Sequence, residues 1–323
     1  MQMTPKVGSL GLSIPVYEPA NGLAVITTYF NPCRYRTRRD NYDLFRQSMQ
    51  RSEIPCITVE CAFGDEPFEL PETLDVIRVR SNSLLWQKER LLNLATSWLS
   101  PSYRYVAWLD CDILFTNRNW ALDTARLLEE YPVVQMFETC VRLVRGNLLI
   151  KNPNRVTSFG AIVPRDRKIL NAGHFKLHGH TGYGWAMRRE IFDKVGLYEH
   201  AICGTADHFM AHTIYNDYDF CIRYALKDDK QQIKHLKEWG ERFHTIAGEN
   251  LTAVPGEILH LWHGDLVNRR YALRTHEITD LGYDPYLDVI ANPGHPVEWH
   301  LETDKPQLKE YFCNYFMSRR EDG

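Results

Sequence analysis

The 323-residue sequence predicts an α/β protein with a mixed, mostly parallel central sheet flanked by helices. Three observations predict it. Strand-like and helix-like stretches alternate through the first 137 or so residues, as βαβ units do. The strand-like stretches are short, apolar and β-branched, as strands covered on both faces are. An acidic pair, Asp110 and Asp112, directly follows one of them, and ligands bind beyond the carboxyl ends of such strands.

Residues 1–22, rich in Gly, Pro and Ser, read as a loose lead-in. Leu23-Ala24-Val25-Ile26-Thr27-Thr28 reads as a buried strand. Residues 41–50 read as a helix, Ile54 to Glu60 as a second strand and Val76 to Arg80 as a third. Over residues 83–99, Leu84, Leu85, Leu91, Leu92, Leu94, Ala95 and Trp98 recur at helical spacing, with Ser83 placed to cap the start. Tyr105 to Leu109 reads as a fourth strand running into Asp110; a helix at about 119–130 and a strand at Val133 to Phe137 follow. The stretch 139–180 is less regular and reads as an insertion. It holds eight Lys or Arg against one acid, Asp166, and is either a bland basic surface or part of an acceptor site.

Apolar residues make up 44% and charged residues 24%, the balance of an ordinary globular protein. A formal net charge of -3 excludes a strong global field for nucleic acid or membrane. No signal peptide is evident at the start, and no window approaches 18 uninterrupted apolar residues, so a cytoplasmic chain without a membrane span is expected. The 8 cysteines are scattered, which fits a reduced compartment. None forms a Cys-x-x-Cys pair, which argues against a structural zinc site.

Three segments carry chemistry. In Asp110-Cys111-Asp112 two carboxylates are bracketed by apolar residues. Carboxylates pressed into an apolar surface stay ionised only with a cation or strong donors, and a divalent metal bridging a diphosphate meets that need. The alternative is a solvated turn. His260 and His263 are three apart; they would face opposite ways on a strand but converge on a bent segment, where they suit a transition metal. The alternative is a pair of hydrogen-bonded core histidines. Gly182-Tyr183-Gly184-Trp185 permits close backbone approach and offers flat faces, making Gly184 and Trp185 candidate ligand contacts. Downstream, Asp207 in Gly204-Thr205-Ala206-Asp207 is either a partly buried general base or a helix N-cap.

In this order the segments resemble a GT-A glycosyltransferase, most closely the metal-dependent beta-galactosyltransferase type. The resemblance spans roughly residues 23–275. It implies a Rossmann-like nucleotide-binding half, an Asp-x-Asp metal motif, a Gly-rich acceptor segment, an acidic base and a late histidine. Residue by residue, it implies that Thr27, Thr28, Tyr29, Asn31 and Arg34 contact the base and ribose, and that Trp86 and Lys88 hold uridine and diphosphate. Asp110 and Asp112 match the metal motif, with Asp112 the preferred ligand and Asp110 free to orient ribose or donor sugar. His260 and His263 fall on metal-ligand positions, and Asp207 on the catalytic base. Ala206 and His208 stand where that family has acids, so acceptor choice must differ.

The expected domain layout is a lead-in at 1–22, a catalytic domain at 23–275 divided near 137, and a C-terminal helical extension at 276–323. The expected activity is transfer of a hexose from a UDP-sugar to a hydroxyl acceptor, with Mn²⁺ or Mg²⁺ and with inversion. The acceptor is a glycan or a hydroxymethylated nucleic-acid base. A retaining transferase, a nucleotidyltransferase and a non-catalytic carbohydrate-binding protein are the alternatives. Residues 27–34 lack the glycines of a nucleotidyltransferase loop.

Overall fold

The computed structural model describes residues 22–146, 154–171, 177–271 and 273–323. The expected lead-in, apart from Gly22, and Lys151 and Lys176 of the basic stretch lie outside these residues.

Eleven strands position the site. They are β1 (Leu23–Tyr29), β2 (Cys56–Phe63), β3 (Val76–Ser81), β4 (Tyr105–Leu109), β5 (Ile113–Phe115), β6 (Val133–Gln135), β7 (Thr139–Arg142), β8 (Asn154–Thr157), β9 (Gly184–Arg188), β10 (Leu251–Ala253) and β11 (Glu257–His260). The main sheet has the order β10-β6-β9-β4-β1-β2-β3. Only β9 opposes its neighbours, pairing antiparallel with β4 and β6. The expected mixed, mostly parallel sheet flanked by helices is what forms. A smaller sheet, β5-β11-β7-β8, leaves from the end of β4.

Both faces of the main sheet are covered, which explains strands without polar alternation. Ala24, Ile26, Val106 and Trp108 point into one core, and Leu23, Val25, Tyr105, Ala107 and Leu109 into the other. Each such large apolar side chain contributes about 1.5–3 kcal/mol on burial.

Several elements differ from the sequence reading. The first helix begins at Arg36 rather than 41, because Asp322 from the C-terminus accepts hydrogen bonds from Arg36 N (3.0 Å) and Thr37 N (2.8 Å) at its start. The helix expected from Ser83 begins at Lys88. Residues 83–87 are held instead by the C-terminal segment: Ser83 Oγ accepts from Trp299 N (2.8 Å), and the Gln87 amide bonds both ways with the Val297 backbone (2.8 and 2.9 Å). No local signal reports those partners.

The stretch 139–180 contains β7, β8 and two short helices, Phe159–Ile162 and Lys168–Asn171. Its basic count is offset from outside: Arg155 pairs with Glu257 (3.0 Å), Arg165 with Glu138 (3.4 Å) and Arg167 with Glu249 (2.6 Å). The boundary drawn at 275 falls inside the helix Leu273–Asp280. Beyond it come a two-stranded hairpin (Val289–Ile290 with Glu298–Trp299), the helix Pro306–Ser318 and a tail that enters the cleft. Among the described residues, no helix is long and apolar enough to cross a membrane.

Candidate active site

Asp110-Cys111-Asp112 marks the point where the chain leaves the main sheet for the small one, between β4 and β5. Asp110 N donates to Tyr183 O (2.8 Å), and Leu261 N donates to Asp112 O (2.8 Å). The triplet is therefore clamped between the entry to β9 and the exit of β11. Because β11 lies antiparallel to β5 with His260 opposite Ile113, the end of β11 falls beside Asp112.

The strand ends at His260, and the chain then bends. Gly264 makes the bend possible: it has φ +96°, and a Cβ there would sit 2.9 Å from the carbonyl oxygens of Arg319 and Arg320. The bend brings the two His Nε2 atoms to 2.8 Å from one another. Asp112 Oδ1 lies 3.8 Å from His260 Nε2, and Oδ2 lies 3.4 Å from His263 Nε2. Asp112 Oδ1 is buried without a hydrogen-bond partner. Burial, with Arg269 and Arg142 nearby, holds His260 well below the usual imidazole range and so neutral, the form that ligates metal. One carboxylate and two imidazoles fit a divalent transition metal such as Mn²⁺.

A second group sits across the cleft. Lys88 Nζ reaches Asp110 Oδ1 (2.6 Å) and Asp207 Oδ2 (2.9 Å). Against the desolvation of burial, these two carboxylates hold the ammonium protonated. Burial pushes both Asp110 and Asp112 up to about 6, and neighbouring Glu89 up to about 8. Asp207 is the second residue of the helix Ala206–Ile214, so it is not the N-cap; Thr205 is, with no side-chain cap bond. Thr205 and Tyr183 both adopt left-handed φ values, +86° and +80°, and both line the cleft. Non-glycine residues held there cost on the order of 1–3 kcal/mol each and cluster at functional sites.

The cleft holds a cavity of about 120 Å³. Thr28, Trp86, Lys88, Asp110, Asp112, Asp207, His260 and His263 all line it. Other expected contacts do not. Thr27 Oγ1 donates to Leu109 O (2.7 Å), tying β1 to β4. Tyr29 OH donates to Glu69 (2.6 Å), and Arg34 pairs with Glu66 (2.9 Å). Asn31 lines a smaller adjoining pocket with Phe30, Trp86 and Phe316. Trp185 is 0% exposed in the core, where its Nε1 donates to Thr181 O (2.8 Å). Gly184 is small for packing, since a Cβ would lie 2.7 Å from Leu109 Cδ2. Within that segment it is Gly182 and Tyr183 that face the cleft. Tyr183 accepts from Arg142 Nε (2.8 Å) and stacks on His180 at 4.1 Å.

Sequence reasoning missed one group. Arg38, Arg269 and Arg319 surround buried Glu321 at 3.2, 2.9 and 2.7 Å, beside the Asp112 end of the cleft. Arg269 also donates to His263 O. Arg274 and Tyr271 complete that wall. The run of arginines at 34, 36, 38 and 39 was visible, but nothing local marked Glu321 as its partner.

No protein-family model matches the chain, and no curated protein is significantly similar to it. Solved structures similar to it include Drosophila beta1,4-galactosyltransferase 7, as a mutant in complex with manganese, UDP-Gal and xylobiose. That likeness has 13% identity, covers 88% of this chain and 98% of that one, and has a TM-score of 0.41. The catalytic domain of the same enzyme with xylobiose matches at 15% identity over 72% of this chain, with a TM-score of 0.32. There the match spans 64% of that chain, less than two thirds of its length. Mannosyl-3-phosphoglycerate synthase from Rubrobacter xylanophilus matches at 13% identity over 90% of this chain and 89% of that one, with a TM-score of 0.37. Likenesses this distant assign no activity, so a functional reading must rest on the site.

Proposed function

We propose that the chain is a metal-dependent GT-A glycosyltransferase that moves a hexose from a UDP-sugar to a hydroxyl acceptor with inversion. The observation that supports it most is the convergence, in one cleft, of Asp112, His260 and His263 at one end and Asp110, Lys88 and Asp207 at the other. The partnerless Asp112 Oδ1 is the feature that asks for a cation.

Asp112, His260 and His263 would hold Mn²⁺ or Mg²⁺, which supplies Lewis-acid stabilisation of the diphosphate leaving group when bound. Asp207 takes the proton of the acceptor hydroxyl as general base. Lys88 stands between Asp207 and Asp110, so an arriving diphosphate competes for its ammonium and releases Asp207 Oδ2 for the acceptor. Trp86 offers a flat face at the edge of the cleft, and the Tyr183 wall excludes water that would otherwise hydrolyse the donor.

Incubation with a panel of nucleotide sugars and Mn²⁺, read as donor hydrolysis and thermal shift, tests the reading. A UDP-hexose is expected to stabilise the chain and be consumed; a panel without a metal-dependent response refutes it. NMR of the product is expected to show an inverted anomeric centre. Asp207→Asn is expected to lower transfer by about 10²–10⁴-fold while donor binding persists. Equal loss of both sinks the base assignment.

A further inference from the structure

A second group of metal-ligating side chains lies outside the cleft. His178 comes from the loop before β9, His212 from the helix Ala206–Ile214, and Cys221 from the helix Phe220–Ala225. All three are buried, at 3%, 0% and 1% exposure. One ring nitrogen from each histidine and the Cys221 sulfur lie within 4.8 Å of one another. None of the three lines the active-site cleft.

Three further features give the group the form of a ligand set. His212 Nδ1 lies 2.7 Å from Asp217 Oδ2, so the carboxylate holds the proton on Nδ1 and turns Nε2 inward. That Nε2 is buried and without a hydrogen-bond partner. His178 Nδ1 lies 2.9 Å from Gly179 O, which fixes the same tautomer there. The loop carrying His178 is pressed onto Ser158, where a Cβ on Gly179 would meet Ser158 O at 2.6 Å. His208, one turn before His212, adds an imidazole whose ring centre is 4.5 Å from that of His212. Tetrahedral zinc needs ligand atoms about 3.3–3.8 Å apart, within a small side-chain rotation of the observed spacing.

We propose that His178, His212 and Cys221 form a second, structural metal site that takes zinc. On binding, the Cys221 thiol gives its proton to solvent and ligates as thiolate, while both imidazoles ligate neutral through Nε2. The thiolate and the Asp217 carboxylate balance the two charges of the ion. The metal ties the helix that carries Asp207 to the loop that carries His180 and Gly182, so it fixes two walls of the cleft. A Cys-x-x-Cys search cannot find such a site, because its ligands come from three separate elements.

The purified full chain, stripped with chelator and titrated with Co²⁺, tests the proposal. The first site offers only oxygen and nitrogen ligands, so a thiolate-to-cobalt charge-transfer band in the near ultraviolet reports the second alone. The band is expected in the wild-type chain and in Asp112→Ala, and is expected to vanish in Cys221→Ser. Its absence from the wild type, or its survival in Cys221→Ser, overturns the proposal. Should Cys221→Ser not fold, native mass spectrometry of Asp112→Ala decides: one retained zinc supports the site, and none refutes it.

Discussion

At one end of the cleft Asp112 faces two imidazoles 3.4 and 3.8 Å away, and at the other Asp110 and Asp207 share the ammonium of Lys88. The residues of Asp110-Cys111-Asp112 thus divide between two chemistries. Asp110 has a cation of its own in contact; Asp112 has none, since the nearby guanidiniums of Arg38 and Arg269 are spent on Glu321. Buried carboxylates need a compensating cation or strong donors, and on the proposed reading the difference assigns the metal to the Asp112 end and the base to Asp207. A plain strand would have presented both acids alike. The change of sheet between β4 and β5 separates them.

The comparison can be broken at four places. Glu321→Ala leaves three guanidiniums without their shared acceptor at the Asp112 end of the cleft. It is expected to cost about 5 kcal/mol, the top of the range for a broken buried pair, read as a fall in denaturant midpoint. Lys88→Met leaves Asp110 and Asp207 facing one another and is expected to cost about 3 kcal/mol at neutral pH. Part of that loss should return as pH falls through about 6, where Asp110 protonates. Asp112→Ala is expected to lower metal-dependent UDP binding by at least the roughly 10–100-fold that loss of even an outer-shell partner costs. Unchanged calorimetric binding would assign the metal elsewhere.

The last effect is a slope with pH. Burial raises Glu89 to about 8 in the folded chain, against an ordinary value near 4.5 unfolded. The folded state therefore holds a proton that the unfolded state has released. The stability this contributes is complete below the unfolded value and is lost as pH rises through about 8. Glu89→Gln should flatten stability between those limits, where the wild type falls by up to about 1.4 kcal/mol per pH unit. Matching slopes would mean that Glu89 is ionised in the fold.

The legible part of the site consisted of residues tied to local sequence patterns. Asp110 and Asp112 could be placed because the run Tyr105–Leu109 is unmistakably a buried strand, and Asp207 because small residues precede it and an apolar stretch follows. In Gly182-Tyr183-Gly184-Trp185 the residue types pointed to a ligand, but the side chain facing it was misjudged. Positions two apart on a strand share a face, but Tyr183 lies just before β9 with φ +80°, so it lines the cleft while pairing of β9 with β4 sets Trp185 in the core beside Trp108. The basic excess of 139–180 left a bland surface and an acceptor site both open, because its acidic partners at 138, 249 and 257 lie outside the stretch.

By itself the sequence determined the α/β class, the run of buried parallel strands and the carboxylates at their ends, because hydrophobic periodicity and chain order are local properties. Tertiary structure alone decided the rest. It bent His263 back to His260 through Gly264, set Lys88 between Asp110 and Asp207, and brought Glu321 and Asp322 from the far end of the chain to the first helix and the Asp112 end of the cleft. These contacts join residues that are distant in the chain, often more than a hundred positions apart. Their energy comes from charges that burial forces to find partners, and no local pattern records which partner each one finds.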